Sequence, residues 1–340
     1  MQLKAAVAAT LVLPLLVSLP AAAEKATIRV GSVAPEGTPW QQHITHIKKR
    51  LEKASDGKLD VKLYLGGQKG DEKSLIRQTK AGRLQMAGVS TAALANYVPE
   101  LQVLELPFLF ESTDEADYVL DNYLYEPVQK LARKYGFVLY QWAENGWQNV
   151  GTKDRFIKSP DDFNGLKIRS QEAPLHLAMW KAFGASPVEM AVSEVLPALK
   201  TGLVEAISQT PLFTFAAGWH QGIQKYTVTK HLYQPGAIIY SKKFFDAQPE
   251  SIQKILLSNV QEDTERGREA VRRIEPGLMQ NFVNYGIDVY ELKDSERKSF
   301  LDAAKKVRTE YLKSAPESAR KLYEAIEAGK KAFRKQNGSE

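Results

Sequence analysis

An α/β protein is what this sequence predicts, and three observations carry the prediction. Apolar residues switch period along the chain, from strict alternation to helical spacing and back. Cap residues precede the helical runs, and glycines follow them. The two kinds of segment alternate as repeated βαβ units do, which implies largely parallel sheets covered by helices.

Taken in order, Thr27 to Val33 reads as a strand with Ile28 and Val30 on one face. Thr38-Pro39 supplies an N-cap with proline at the first helical position. Trp40, Ile44, Ile47 and Leu51 follow at helical spacing, and Gly57 ends that helix. Leu59, Val61, Leu63 and Leu65 alternate as a half-buried strand does. Asp71 caps a helix through Leu75 and Ile76 that Gly82 stops, and Leu84 to Val89 is the next strand. Ser112 and Glu115 make a capping box for a helix reaching about Lys134, and Phe137 to Gln141 is a strand. Ser159 to Asp162 opens a short helix and Leu166 to Arg169 forms a strand. Pro174 to Phe183 and Val192 to Lys200 are helical, with Gly202 after the second. Beyond Ile238 to Tyr240 the pattern turns mainly helical. A long charged helix runs from about Pro249 to Pro276, where proline kinks or ends it.

The first residues have the form of a secretory signal peptide. Lys4 is the cationic start, Ala5 to Leu19 the apolar run, and Ala21-Ala22-Ala23 the small-residue cleavage site. Residues 1–23 are therefore expected to be removed on export to the periplasm. What remains suffices for one large domain or two ordinary ones. An apolar fraction of 44% and a charged fraction of 25% are those of a globular protein. No cysteine is present, which excludes disulfides, thiolate catalysis and thiolate-bound metals. The net charge of +6 is modest. It suits attraction of anionic solutes, whereas a nucleic-acid partner would need the charge gathered on one face. The densest basic stretch, Lys330 to Lys335, lies in a helical tail and reads as a solvated face.

Catalytic constellations are missing from the sequence. It has no G-x-S-x-G elbow, H-E-x-x-H pair, G-x-G-x-x-G turn or G-x-x-x-x-G-K loop. Gly66 to Gly70 lacks the Lys-Ser/Thr step of a phosphate cradle and reads as a turn. His43 and His46 stand three apart on a helix, but without a third ligand nearby they read as surface histidines. No cofactor or metal is implied, and the pattern favours a binding protein over an enzyme.

Several segments, in order and spacing, resemble the extracytoplasmic solute receptors of tripartite ATP-independent periplasmic (TRAP) transporters. They are Val33 to Trp40, Gly70-Asp71-Glu72, Glu105 to Phe110, Glu144-Asn145-Gly146, Gly165 to Arg169, Gly184 to Met190, Glu194-Val195 and Ala198 to Gly202. The resemblance covers essentially all of the chain after the signal. It implies a periplasmic-binding-protein type of α/β fold, two lobes around a ligand cleft with a long lobe-spanning helix. The lobes would be residues 24–146 plus 236–275 and residues 147–235 plus 276–340, hinged near Gly146-Trp147 and Pro235-Gly236. It further implies capture of an organic anion by a monomer that delivers it to the permease subunits in the membrane.

Arg169 matches the arginine that clamps a carboxylate in such receptors. Independently of the resemblance, an arginine at the carboxyl end of a strand points into the crevice where α/β sheets bind ligands. Its planar fork also pairs with both oxygens of a carboxylate. Gln148 stands where many of these receptors carry a second arginine. Gln209 lies in Glu205 to Pro211, which replaces their Asn-Pro ligand segment. Glu36, Trp147 and Phe213 complete the expected ligand-binding set. The rings Trp142, Trp147, Phe213, Phe215 and Trp219 fit either core packing or an apolar pocket for an aromatic or amphipathic carboxylate. A sensor or scaffold of the same fold, acting on a signalling partner, is the alternative function.

Overall fold

The computed structural model describes residues 25–338, so the expected signal peptide lies outside the described residues. Among these, nine strands form one mixed sheet. They are β1 (Ala26–Ser32), β2 (Leu59–Tyr64), β3 (Met86–Ser90), β4 (Phe137–Thr152), β5 (Lys167–Ser170), β6 (Ser186–Glu189), β7 (Ala206–Gln209), β8 (Lys225–Ser241) and β9 (Asp288–Glu291). Most local signals hold, although the Glu115 side chain accepts from the Glu111 N–H at 2.8 Å and so leaves the capping box with Ser112 half made. Thr38 Oγ1 accepts the Gln41 N–H at 3.3 Å and Asp71 Oδ1 the Ser74 N–H at 2.7 Å, each at the start of its helix. Gly82 and Gly202 end theirs in the left-handed conformation.

Two parallel wings flank a long antiparallel pair. In the first wing β1 lies between β2 and β3, and in the second β5 lies between β6 and β7. β4 and β8 form the spine, paired antiparallel from Phe137↔Ser241 to Thr152↔Lys225. β3 joins the carboxyl half of β8, while β7 joins the carboxyl half of β4. β9 runs beside the amino half of β8. The prediction of largely parallel sheets is therefore right for the wings and wrong for the spine.

That spine was mostly unread in the sequence because it is buried on both faces. Of the β4 residues only Asn145 is not fully buried, so no alternation marks the strand beyond Gln141. The spine also bends. Register passes from Glu144↔Pro235 to Gly146↔Gln234, leaving Asn145 unpaired, and Gly146 has φ +100°. This bulge is the one place where both long strands change wings together.

The helices differ from expectation in two places. The helix expected from Pro249 to Pro276 is two, Glu250–Leu256 and Val260–Arg272, divided at Asn259 with φ +59°. Pro276 neither kinks nor ends the second one. It sits in the first turn of a third helix, Glu275–Asn284, where its missing N–H costs nothing. The helix Glu317–Gln336, expected with the second lobe, packs on the first. Gly329 lies against Tyr123 and Val119, Lys330 Nζ donates to the Leu109 carbonyl, and Arg334 pairs with Glu111 at 2.8 Å.

The largest core joins the wings across the spine, from Leu75, Ala87 and Val89 through Leu139 and Ile239 to Ile168, Ala206 and Phe300. A smaller core lies in each wing. Ile28, Val30, Ile44, Ile47, Leu51, Val61 and Ile238 pack between the first wing and the Pro39–Ala54 helix. Val195, Leu199, Ile207, Trp219, Tyr226 and Phe282 fill the second.

Candidate functional site

Parallel strands of both wings end at one place, the cavity between them. Ser32 and Ser90, the last residues of β1 and β3, stand on one side, with Arg169 of β5 and Gln209, the end of β7, on the other. This is the crevice at the carboxyl ends of strands where open α/β sheets take ligands. Three helices begin on its rim, at Glu72, Val192 and Pro211.

Arg169 is 4% exposed and only partly bonded. Its Nη2 donates to the Met190 carbonyl at 3.2 Å, and the guanidinium lies 5.3 Å from the centre of the Trp219 ring. Nε and Nη1 have no acceptor among the described residues. Burial pushes this guanidinium down to about 10, with Glu72 opposing the shift, so it stays cationic at neutral pH. A buried cation with free donors is costly unless an anion meets it.

Gln209 and Phe213 also line the cavity, as expected. The Gln209 oxygen is taken, accepting from the Thr210 N–H at 2.8 Å and from Gln148 Nε2 at 3.4 Å. What Gln209 can offer a ligand is therefore its Nε2 donors.

The other expected residues fall elsewhere. Gln148 stands behind the wall, donating to Gln209 and to Gln234 Oε1 at 3.0 Å and accepting from Ser208 Oγ at 3.0 Å. Its neighbour Trp147 packs at 5.2 Å on Tyr233, and its indole donates to Thr113 Oγ1 at 3.1 Å. Glu36 is exposed in the loop before the Pro39–Ala54 helix. Trp142 is core, Phe215 packs on Phe282 and Trp219 supports Arg169. Of the five rings singled out in the sequence only Phe213 lines the cavity, where it joins Trp40 and the aliphatic side chains of Val33, Val89, Val192 and Leu212. His43 is not on the surface either. It is buried against Gly267, its Nε2 2.9 Å from the Gln141 amide nitrogen.

Polar residues that were not singled out complete the wall. Glu72 accepts from the Ser90 N–H at 2.6 Å and the Ser90 hydroxyl at 3.0 Å. Asn145 enters from the spine bulge. Gln171 and Gln234 exchange amide hydrogen bonds, and Gln234 Nε2 also donates to buried Glu105 at 2.8 Å. At the mouth, Lys73 of the first wing reaches Glu172 at 2.9 Å and Glu189 at 3.2 Å in the second. Gly-Asp-Glu at 70–72 and Glu-Asn-Gly at 144–146 both belong to the segments of the resemblance, yet nothing local marks which member faces inward.

Trp40 holds the spine bulge to the cavity floor. Its indole donates to the Glu144 carbonyl at 2.8 Å, and the ring lies where side chains at Gly88 and Gly236 would be. The Glu144 carboxylate accepts from Arg272 Nη2 and from the Tyr233 hydroxyl, each at 2.7 Å.

A family model, bacterial extracellular solute-binding protein, family 7 (DctP), matches residues 30–314. The chain belongs to this family. Its resemblance to the receptors of TRAP transporters is thereby confirmed. The 2,3-diketo-L-gulonate-binding periplasmic protein of Escherichia coli is 28% identical over 79% of this chain and 82% of that one. The C4-dicarboxylate-binding periplasmic protein of Rhodobacter capsulatus is 27% identical, over 88% and 90%. A TRAP periplasmic solute-binding protein of Citrobacter koseri, solved with bound D-glucuronate, superposes with TM-score 0.82 at 27% identity. That match covers 88% of this chain and 98% of that one. The two-lobed α/β binding-protein fold of the family is thus the fold found here.

Proposed function

We propose that this receptor captures an organic anion in the periplasm, seats its carboxylate on Arg169 and hands it to a membrane permease without chemical change. The observation that carries the reading is Arg169 itself, buried in the wall between the wings with Nε and Nη1 unpartnered among the described residues. Desolvated guanidinium donors aimed into a cleft suit a carboxylate. The ligands named for its relatives, 2,3-diketo-L-gulonate, a C4-dicarboxylate and D-glucuronate, are all acids of this kind.

The two lobes of this reading are residues 24–146 plus 236–275 and residues 147–235 plus 276–316, with the Glu317–Gln336 helix strapped back onto the first. Their hinge is the bulge at Asn145-Gly146 opposite Gln234-Pro235. Capture closes the lobes because the ligand contacts both. Calorimetric titration of the mature protein with a panel of organic acids tests the reading. Arg169→Ala should lose the acids that the wild type binds, and retained affinity would refute the assignment.

A further inference from the structure

The cavity has two chemically opposite poles. At the first, Arg169 and the Gln209 amide nitrogen offer donors alone, because the Gln209 oxygen is already used by Thr210 and Gln148. A ligand must bring acceptors there. The second pole is Glu72, at the start of the Glu72–Ala81 helix in the opposite wing. Its two oxygens each accept one hydrogen bond, one from the Ser90 N–H and the other from the Ser90 hydroxyl. Burial pushes the Glu72 carboxyl up, while the Ser90 hydrogen bonds and the Arg169 charge favour its ionised form. In that form each oxygen has a second lone pair, and Glu72 presents acceptors to the cavity and no donor.

The side groups between the poles are largely committed. Gln171 and Gln234 are paired with each other, and Glu105 and Gln148 fix the orientation of Gln234. The Trp40 nitrogen is taken by Glu144. Asn145, with no side-chain partner among the described residues, can both donate and accept. No ammonium or second guanidinium of the wall is free to balance Glu72, because Lys73 is held by Glu172 and Glu189. A second ligand carboxylate beside Glu72 would meet a like charge and two oxygens that cannot donate to it. A hydroxyl there would donate.

Building on the carboxylate seat at Arg169, we propose that Glu72 determines specificity. It accepts a hydroxyl from the body of a monocarboxylate whose acid end lies at Arg169. It thereby selects hydroxylated monocarboxylates, sugar acids among them, over dicarboxylates.

The test is equilibrium binding of D-glucuronate, D-galactonate and succinate to wild type, Glu72→Gln, Glu72→Asp and Arg169→Ala, with ligand-free melting as the control for folding. Wild type should bind at least one of the two sugar acids with a preference over succinate on the order of a hundredfold. Glu72→Gln keeps an acceptor for Ser90 but loses the charge. It should reduce that preference by roughly tenfold or more, by weakening the sugar acid and admitting succinate. Glu72→Asp retains the charge on a shorter arm, so it should weaken the sugar acid while still rejecting succinate. It serves in place of Glu72→Gln if that variant does not fold. Equal or tighter binding of succinate by wild type, no binding of either sugar acid, or an unchanged preference in Glu72→Gln overturns the proposal. Failure at Arg169 reads differently: there Arg169→Ala binds as wild type does, whatever Glu72 does to the preference.

Discussion

Among the described residues Arg169 donates to a single protein acceptor, Met190, although its guanidinium carries five N–H groups. Arg169→Ala should weaken binding on the order of tenfold or more, since a charge-assisted hydrogen bond is worth about 1.5–3 kcal/mol. Arg169→Lys should restore only part of this, keeping charge but losing the planar fork. Ligand-free melting of either variant should be close to wild type, because little protein bonding is lost. An early-melting Ala variant with normal affinity would make Arg169 structural instead. The histidines make a separate prediction. Burial pushes His231 down to about 3 and His43 to about 4, so both are neutral in the folded protein near pH 6. The unfolded chain takes up these protons near pH 6.5, so their contribution is complete above that pH and is lost as pH falls toward the folded values. His231→Gln does not titrate. Between pH 6.5 and 4.5 the wild type should lose roughly 1.4 kcal/mol per pH unit more than this variant, read from denaturant unfolding. Parallel pH profiles would show that His231 is not buried as the neutral form.

Two elements govern how the wings meet. At the spine bulge, Gly146 has φ +100°, and an added Cβ would lie 3.4 Å from Glu144 Oε1. Gly146→Ala should therefore destabilise the protein by about 1–3 kcal/mol, the usual scale of such backbone strain, seen as a lower denaturant midpoint. An unchanged midpoint would mean the bulge relaxes freely. At the mouth, Lys73 ties the Glu72–Ala81 helix to Glu172 and to Glu189 of β6. Half-exposed ion pairs are worth little for stability and weaken with salt. Lys73→Ala should thus leave melting nearly unchanged but raise the ligand off-rate several-fold in stopped flow, with the difference shrinking at high ionic strength. An off-rate equal to wild type at low salt would remove Lys73 from the closed state's contacts.

For the whole molecule, the proposed function requires a hinged pair of lobes whose closed form a ligand stabilises. Small-angle scattering of the mature protein should show a smaller radius of gyration at ligand saturation, and an identical radius would refute the hinge. A ligand present at a hundred times its dissociation constant should add about 2.7 kcal/mol to stability, whatever its chemistry.

Local physics was enough for much of this. The caps at Thr38, Asp71 and Ser159, the glycine stops and the alternation of Leu59 and Val61 depend on neighbours a few residues away, and these elements form where the sequence placed them. So does Arg169, because the end of a parallel strand dictates where its side chain emerges. The sequence by itself thus determined the α/β class, the family resemblance and one pole of the cavity. Tertiary structure alone decided the rest. The spine strands show no alternation because both faces are buried, so their length was invisible. Gln148 and Trp147 are adjacent on β4, yet neither reaches the cavity, since Gln209, Gln234, Tyr233 and Thr113 come from distant segments to cover them. Glu72 faces Arg169's cavity across 97 residues of chain only because two wings fold onto one spine. Short-range signals carry no information about such meetings, which are set by how the finished sheets pack.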